Sequence, residues 1–327
     1  MAVFEYVRAG DVAAAVALVS ADPAAQYLAG GTTQVDLMLK DRVLEPQRLV
    51  DITRLPLRGI TGSGDALVVG ALTTMEELAA DPVLAERAVF VREALLAGAS
   101  TQLRNMATIG GNVLQRTRCR YFRDPTVVAC NKRAPGSGCA AITGVARMHA
   151  ILGASEHCIA LHASDLCVPL VALDAVVHVQ GVNAQRSIPL TEFYLVPADR
   201  SDVENVLAHG ELINAIEIPL LPAGARSGYL KVRDRASYEF ALASAAVALL
   251  IEDGVLTEAR LALGGVGTVP WRARAAERVL IGASPGTEVF RAAAEAAIVD
   301  PFTVPGTAFK VELAKRTIVR ALQMVAA

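Results

Sequence analysis

Hydrophobic positions in the first part of the chain change between helical and strand spacing every few residues. Asp11 and Thr74 are residue types that cap helices, and each precedes an apolar periodic segment. Apolar residues three or four positions apart predict four helices, over residues 11–20, 34–40, 75–80 and 86–98. Alternating positions predict two strands and a hairpin with its turn at 62–65, over residues 26–29, 48–52 and 57–73.

The C-terminal third begins after a proline-rich stretch at residues 219–224 and has longer periodic segments. Such a stretch is typical of a domain boundary. The pattern after it predicts strands at 229–233 and 256–264, with a long helix or strand–helix segment at 238–250 between them. Three further helices are predicted, over residues 272–281, 286–298 and 309–325. We therefore expect a separate α+β domain in this third.

Residues 99–165 sustain neither period and are rich in glycine, arginine, asparagine and cysteine. Long irregular segments within compact domains are usually functional. An apolar strand pattern returns over residues 166–180. The chain has five cysteines, all within or just after the irregular segment, at Cys119, Cys130, Cys139, Cys158 and Cys167. This clustering and the odd count favour metal or cluster binding over a disulfide framework.

Composition narrows the class of protein without identifying it. The 327 residues are 53% hydrophobic and 20% charged, which allows a core divided over two or three domains. A net charge of -2 gives no global field that would favour nucleic acid or an anionic membrane. The first residues lack the pattern of an export signal, and no apolar segment is long enough for a membrane span. We therefore expect a soluble protein.

Two Gly-Gly turns, each following an apolar run, are candidate cofactor loops. The first is AGGTTQVD at residues 29–36, and the second lies in LRNMATIGGN at residues 103–112. Glycine lets backbone amides approach a diphosphate closely. Neither spacing is that of a Walker loop or a Rossmann fingerprint, and a plain turn explains each of them taken alone. Two such turns in one chain favour the binding of one extended anionic cofactor by both turns.

The spacing Cys-x10-Cys-x8-Cys-x18-Cys from Cys119 to Cys158 matches neither zinc fingers nor bacterial ferredoxins. Cys167 lies in the apolar strand pattern, so we expect a core thiol there. His149 and His157 flank the cysteines and could bond sulfur, although packing explains them more simply. Seven cations accompany a single acid, Asp124, between residues 116 and 149: Arg116, Arg118, Arg120, Arg123, Lys132, Arg133 and Arg147. This excess suits a buried anionic cluster or a surface that faces a partner.

Five segments, in order, resemble the FAD subunit of molybdenum hydroxylases such as xanthine dehydrogenase and carbon monoxide dehydrogenase: AGGTTQVDLMLK, GALTTMEEL, RNMATIGGN, HASDL and YLKVRDRASYEFALASAAVAL. The resemblance covers nearly the whole chain and implies an α+β protein. It implies a vanillyl-alcohol-oxidase-like (PCMH-type) FAD-binding domain over 1–222, with subdomains at about 1–55 and 56–222, and a small α+β C-terminal domain over 223–327. Cofactor contacts are implied at Leu28, Ala29, Gly30, Gly31, Thr32, Thr33, Gln34, Thr73, Thr108, Gly111, Asn112, Asp165 and Lys231.

Within this family, the first glycine loop binds the FAD diphosphate, Asp165 matches a residue on the flavin's sugar-like chain, and Lys231 matches a lysine near the isoalloxazine. The cysteine-rich insertion at 116–160 resembles the one in the FAD subunit of periplasmic aldehyde oxidoreductases, which holds a 4Fe-4S cluster. The implied cluster ligands are Cys119, Cys130, Cys139 and Cys158. Since most relatives lack this insertion, a structural role that tunes the flavin is favoured over a place in the electron relay.

The implied function is electron transfer in a molybdenum-dependent aldehyde oxidoreductase. The partners would be a 2Fe-2S small subunit and a large subunit with the molybdenum cofactor, and electrons would leave for an external acceptor. Gly264–Gly267 lacks a full NAD fingerprint, which favours oxygen, ferredoxin or a quinone-linked carrier. The compartment would be the cytoplasm, or the periplasm by co-export with a signal-bearing partner. Alternatives are a xanthine or other N-heterocycle dehydrogenase subunit, a self-sufficient flavin oxidase and a metal-binding redox sensor without flavin.

Overall fold

The computed structural model describes residues 3–327, and its N-terminal part is a parallel three-stranded sheet in the order β1-β3-β2. Because parallel strands need a crossover, a helix lies between each successive pair. Asp11 caps the first of these helices by accepting a hydrogen bond from the Ala14 amide, as the sequence predicts. The elements are β1 (Glu5–Arg8), α1 (Val12–Ser20), β2 (Ala25–Leu28), α2 (Gln34–Leu39) and β3 (Arg48–Asp51).

A five-stranded antiparallel sheet follows, built from β4 (Ile60–Ser63), β5 (Ala66–Gly70), β6 (Val176–Gln180), β7 (Gln185–Pro189) and β8 (Leu212–Pro219). Its order is β4-β5-β8-β6-β7, so the long segment between β5 and β6 leaves the sheet and returns to it. That segment and the β7–β8 connection hold eight helices: α3 (Met75–Ala79), α4 (Pro82–Arg87), α5 (Val89–Ala97), α6 (Thr101–Arg104), α7 (Ile109–Val113), α8 (Arg120–Arg123), α9 (Cys167–Ala172) and α10 (Leu190–Phe193).

The C-terminal part is a four-stranded antiparallel sheet in the order β12-β11-β10-β9. Its strands are β9 (Arg226–Val232), β10 (Ala243–Glu252), β11 (Val255–Gly264) and β12 (Trp271–Arg272). Three helices share an apolar core with one face of this sheet: α11 (Arg274–Leu280), α12 (Thr287–Ala297) and α13 (Phe309–Ala326). The other face contributes Ala246, Ala248 and Ala262 to the core of the preceding domain, where α5 and α9 pack.

Three elements differ from the sequence prediction. The segment 238–250, predicted as a helix or strand–helix, is strand from Ala243 onward; its residues alternate between the two cores, and a strand buried on both faces has no polar alternation. The strand predicted over 166–180 begins as α9, and only Val176–Gln180 is extended. The helix predicted over 86–98 is interrupted at Ala88, where α4 ends and α5 begins. Within residues 3–327, none of the helices is long and apolar enough to cross a membrane.

Candidate cofactor-binding site

One large cavity, of about 790 Å³, is lined by the two glycine turns, by Asp165 just before α9 and by Lys231 of β9. It brings together eleven of the residues implied as cofactor contacts: Ala29, Gly30, Gly31, Thr32, Thr33, Gln34, Thr108, Gly111, Asn112, Asp165 and Lys231. Leu28 and Thr73 lie outside its lining. Thr73 is buried, and its hydroxyl lies 3.0 Å from both the amide and the carbonyl oxygen of Gly59. The position of Thr73 is therefore explained by a backbone contact.

The two glycine turns are pressed against each other. A Cβ atom on Gly30 would overlap the backbone carbonyl of Met106, which precedes the second turn. Gly31 has a φ of 72°, a conformation that L-residues rarely adopt. Thr108 begins the short helix α7 and accepts a hydrogen bond from the Gly111 amide at 3.2 Å. The first glycine is thus required by packing and the second by backbone conformation.

Asp165 and Lys231 form a buried ion pair at the wall of the cavity. The Lys231 Nζ atom lies 2.8 Å from Asp165 Oδ2 and also donates to the carbonyl oxygen of Ala97. The Tyr229 hydroxyl donates to Asp165 Oδ1 at 2.6 Å, so both carboxylate oxygens are held. Burial raises the pKa of Tyr229 well above its usual value, and the charge of Asp165 adds to this, so the hydroxyl keeps its proton. Sequence reasoning missed Tyr229, although it begins the YLKVRD segment.

Breaking this pair should cost much more stability than breaking an exposed one. The side chains of Lys231 and Asp165 are 5% and 11% exposed, and Lys231→Met would leave the carboxylate buried without its cation. We expect a loss of about 3–5 kcal/mol in the free energy of unfolding, measured by urea denaturation. The same substitution at Lys315, whose partner Glu295 is 66% exposed, should cost no more than about 1 kcal/mol. Equal losses in the two variants would contradict this reading of the pair.

Comparison with known proteins identifies the family of this chain. The family described as "FAD binding domain in molybdopterin dehydrogenase" matches residues 2–221, and the "CO dehydrogenase flavoprotein C-terminal domain" matches residues 228–325. The chain belongs to the FAD-binding subunits of the molybdenum hydroxylases. It is an oxidoreductase subunit, and the predicted fold class, an α+β FAD-binding domain followed by a small C-terminal domain, is confirmed.

Individual relatives of this FAD subunit cover nearly its full length. The chain is 44% identical to the aldehyde oxidoreductase FAD-binding subunit PaoB of Escherichia coli (strain K12), over 98% of both chains. It is 27% identical to the carbon monoxide dehydrogenase medium chain of Hydrogenophaga pseudoflava, over 90% of this chain and 86% of that one. The solved structure of carbon monoxide dehydrogenase from that organism, lacking the Mo-pyranopterin moiety, superposes with a TM-score of 0.77 at 28% identity, covering 99% and 97% of the two chains.

The FAD subunit also gathers the four cysteines implied as cluster ligands around one small cavity, of about 10 Å³. The backbones of Cys130 and Cys139 pair in an isolated antiparallel β-bridge, and both thiols are free. The Ala160 amide donates to Cys158 Sγ at 3.4 Å. Burial raises the pKa of Cys119 to about 12, so this thiol is protonated at neutral pH in the absence of a bound cation. Across residues 3–327, no three His, Cys, Asp or Glu side chains come close enough together to hold a single metal ion.

Cys167 lies apart from the other four cysteines. It does not line their cavity; it is fully buried in α9, and its Sγ atom is 3.0 Å from the Tyr194 hydroxyl. A second small cavity lies between the flavin and cysteine regions, because its lining shares Gln115 with the large cavity and Lys132 with the cysteine cavity. The two candidate sites are therefore neighbours in space as well as in sequence.

The local excess of positive charge predicted for 116–149 is largely offset by acids from elsewhere in the chain. Arg123 lies 2.7 Å from Asp36 and 2.6 Å from Asp41. Three further ion pairs also involve acids from outside this segment: Arg116 and Lys132 pair with Glu204, and Arg147 pairs with Asp234. Asp124 is the single acid between residues 116 and 149, whereas these four acids are distant along the chain. The surroundings of the cysteines are consequently closer to neutral than that count implied.

His149 contacts the first cysteine directly: its Nε2 atom lies 3.2 Å from Cys119 Sγ. The carbonyl oxygen of His149 accepts a hydrogen bond from Lys310 Nζ at 2.8 Å, and the Gly265 carbonyl accepts another at 2.7 Å. Lys310 is fully buried in α13, and this burial lowers its pKa to about 7, with the charge of Arg147 adding to the effect. The C-terminal helix is thereby fastened to the cysteine segment.

The lowered pKa of Lys310 predicts that the free energy of unfolding rises with pH. Between pH 7 and the ordinary lysine pKa of 10.5, the unfolded chain binds a proton here that the folded chain has released. Raising the pH from about 7 to 9.5 should therefore stabilise the wild type by about 3 kcal/mol more than Lys310→Met, which cannot titrate. The measurement is urea denaturation at both pH values. If the free energy of unfolding changed equally with pH in the wild type and in Lys310→Met, Lys310 would have an ordinary pKa.

Proposed function

We propose that this chain is the electron-transfer FAD subunit of a molybdenum-dependent aldehyde oxidoreductase. In this role it accepts electrons from 2Fe-2S centres of a partner chain and passes them to an external acceptor. The observation that carries the proposal is the single cavity lined by both glycine turns and by the Asp165–Lys231 pair. The 44% identity to an aldehyde oxidoreductase FAD-binding subunit, over nearly both full chains, favours an aldehyde as the substrate of the complex.

The residues that line the cavity suit FAD in size and in charge. A volume of about 790 Å³ is within the range of cofactor sites. Six cationic and four acidic side chains line it, which favours an anionic ligand. The glycine at position 30 and the positive φ of Gly31 leave the backbone of the first turn open to a diphosphate. When bound, FAD supplies reversible electron storage.

The chain's own residues would hold and orient this cofactor. The Asp165 carboxylate, fixed by Tyr229 and Lys231, would accept hydrogen bonds from the sugar-like chain. Lys231 would place a positive charge beside the ring system, because its amine is anchored to Asp165 and to the Ala97 carbonyl. Both side chains are nearly excluded from water, so their directions are set before the cofactor binds.

We also propose that Cys119, Cys130, Cys139 and Cys158 bind a 4Fe-4S cluster. The donor set fits, because four thiols line one cavity and a ring nitrogen and a backbone amide lie within reach of two of the sulfurs. A cluster spreads its ligands further apart than one ion does, so a site for it need not group three side chains around a single point. Lys132 lines the same cavity, although its ammonium is also paired with Glu204 at 2.9 Å.

The partners proposed are a 2Fe-2S small subunit and a large subunit with the molybdenum cofactor. The matched family is named for molybdopterin dehydrogenases, and the relatives are described as subunits or chains of larger enzymes. The acceptor that we favour is oxygen, ferredoxin or a quinone-linked carrier, because Gly264–Gly267 lies at the end of β11 without the glycine and acid spacing of an NAD fingerprint. NAD stays an alternative, since this family can bind it at the flavin face without that motif.

The test is to purify the chain alone and together with its two proposed partners. We expect the chain alone to release FAD on heating and to contain iron and sulfide. The assembled complex should reduce a dye acceptor with an aldehyde and not with xanthine. Xanthine-dependent activity would support the N-heterocycle alternative, and aldehyde turnover by the isolated chain would support a self-sufficient oxidase. Metal without flavin would indicate a redox sensor.

A further inference from the structure

We propose that Arg118 is a further FAD-binding residue, whose guanidinium binds the diphosphate and so links the cysteine-rich segment to the flavin site. This inference rests on the proposed binding of FAD in the large cavity. Arg118 directly precedes Cys119 and lies outside both glycine turns. The family resemblance therefore does not assign it any contact with the cofactor.

Arg118 reaches from the cysteine segment into the wall of the large cavity. Its Nη2 atom donates to the Thr33 hydroxyl of the first glycine loop at 3.3 Å. On the other side, its guanidinium lies 5.5 Å from the centre of the Phe240 ring. The cation is thus held at the loop that would carry the diphosphate, between two walls of the cavity.

Three other partly buried cations of this cavity already have close acidic partners. Arg123 is 2.7 Å from Asp36, Arg116 is 3.0 Å from Glu204, and Lys231 is 2.8 Å from Asp165. Arg118, in contrast, reaches an acid only at 3.8 Å, at the Asp36 oxygen that Arg123 already contacts. Within the described residues, its buried Nε atom has no hydrogen-bond partner.

This environment favours an anion with several acceptor oxygens. The guanidinium groups of Arg118 and Arg123 both lie near Asp36 Oδ2, so one carboxylate oxygen faces two cations. A phosphate beside Arg118 would supply the negative charge that this carboxylate shares. The planar N–H edge of arginine matches phosphate oxygens in pairs, which a lysine ammonium cannot do. Each phosphate of FAD carries a negative charge, while riboflavin carries none.

The backbone on both sides of Arg118 is anchored, so the point from which its side chain extends is fixed. The Thr117 hydroxyl donates to the Leu161 carbonyl at 2.9 Å and accepts from the Cys119 amide at 3.2 Å. Cys119 is itself in contact with His149. The cysteine segment therefore positions a cation for the flavin site.

The experiment measures FAD and riboflavin binding to flavin-free protein by quenching of flavin fluorescence. Arg118→Gln should weaken FAD binding by about 10- to 100-fold and leave riboflavin binding unchanged. Arg118→Lys, which keeps the charge but loses the planar edge, should weaken FAD binding less. Arg120→Gln is the matched control, because Arg120 flanks Cys119 on the other side, is exposed and lies outside the cavity lining; it should bind both ligands like the wild type.

Two results would overturn the inference: FAD binding by Arg118→Gln that equals the wild type, or equal weakening of FAD and riboflavin. If Arg118→Gln does not fold, Arg118→Lys decides the question, since unchanged FAD affinity in that variant contradicts a phosphate contact through the planar edge. A wild type that binds neither ligand would instead overturn the proposed FAD site itself.

Discussion

Replacing Gly30 by alanine is expected to weaken FAD binding by about 10- to 100-fold. The added Cβ atom would overlap the backbone carbonyl of Met106, and neither backbone can yield as a flexible side chain would. Overpacking of this kind costs about 1–3 kcal/mol, and the two turns can relieve it only by moving apart. Because both turns line the same cavity, their separation would withdraw contacts from both sides of the cofactor. The measurement is the FAD content of purified protein together with a titration of the flavin-free form.

The matched control is Gly62→Ala, since a Cβ atom there would meet nothing within 4 Å and the residue lies in β4, away from the cavity. This variant should keep its FAD. At Gly31 the positive φ is the main obstacle, and an added Cβ would be 3.2 Å from the Val35 side chain. Gly31→Val should therefore also release flavin, through backbone strain. Full FAD occupancy in folded Gly30→Ala would contradict the close packing of the turns.

The glycine turns illustrate what the sequence could and could not reveal. AGGTTQVD and the TIGGN turn were identifiable because turn chemistry is local and resembles that of a known family. The packing that requires glycine at position 30 was not identifiable from the sequence, because the Met106 carbonyl that Gly30 approaches is distant along the chain. Tyr229 was missed for a similar reason: only the folded sheet brings its hydroxyl to Asp165.

Long-range contacts also explain why the local charge and the secondary structure predicted from the sequence differ from those in the structure. The cations of 116–149 seemed unopposed because Asp36, Asp41, Glu204 and Asp234 reach them only through the fold. The segment that contains β10 suggested a helix because both faces of its sheet are covered, which removes the polar alternation on which strand prediction depends. Segments with one solvent-facing side, such as α1 and the β4–β5 hairpin, were predicted closely.

Single Cys→Ser substitutions at positions 119, 130, 139 and 158 should each remove most of the iron from the purified chain. We expect about four iron atoms per wild-type chain and less than about one in each variant. A serine oxygen is a harder and weaker ligand for iron than a thiolate, so a serine at any of these positions would leave one corner of the cluster poorly held. Iron and acid-labile sulfide are measured chemically, and the flavin content of the same samples reports whether the FAD site survives.

Cys167→Ser provides the internal control for this series, because it makes the same change at a cysteine of the same chain. Cys167 is fully buried in α9, and it does not line the cavity shared by the other four cysteines. A serine hydroxyl can keep the contact with Tyr194 that the thiol makes at 3.0 Å, so the local structure should persist. Iron content should therefore stay near the wild-type value. If Cys167→Ser lost its iron while one of the other four variants kept it, Cys167 would be a cluster ligand and the cysteine replaced in that variant would not.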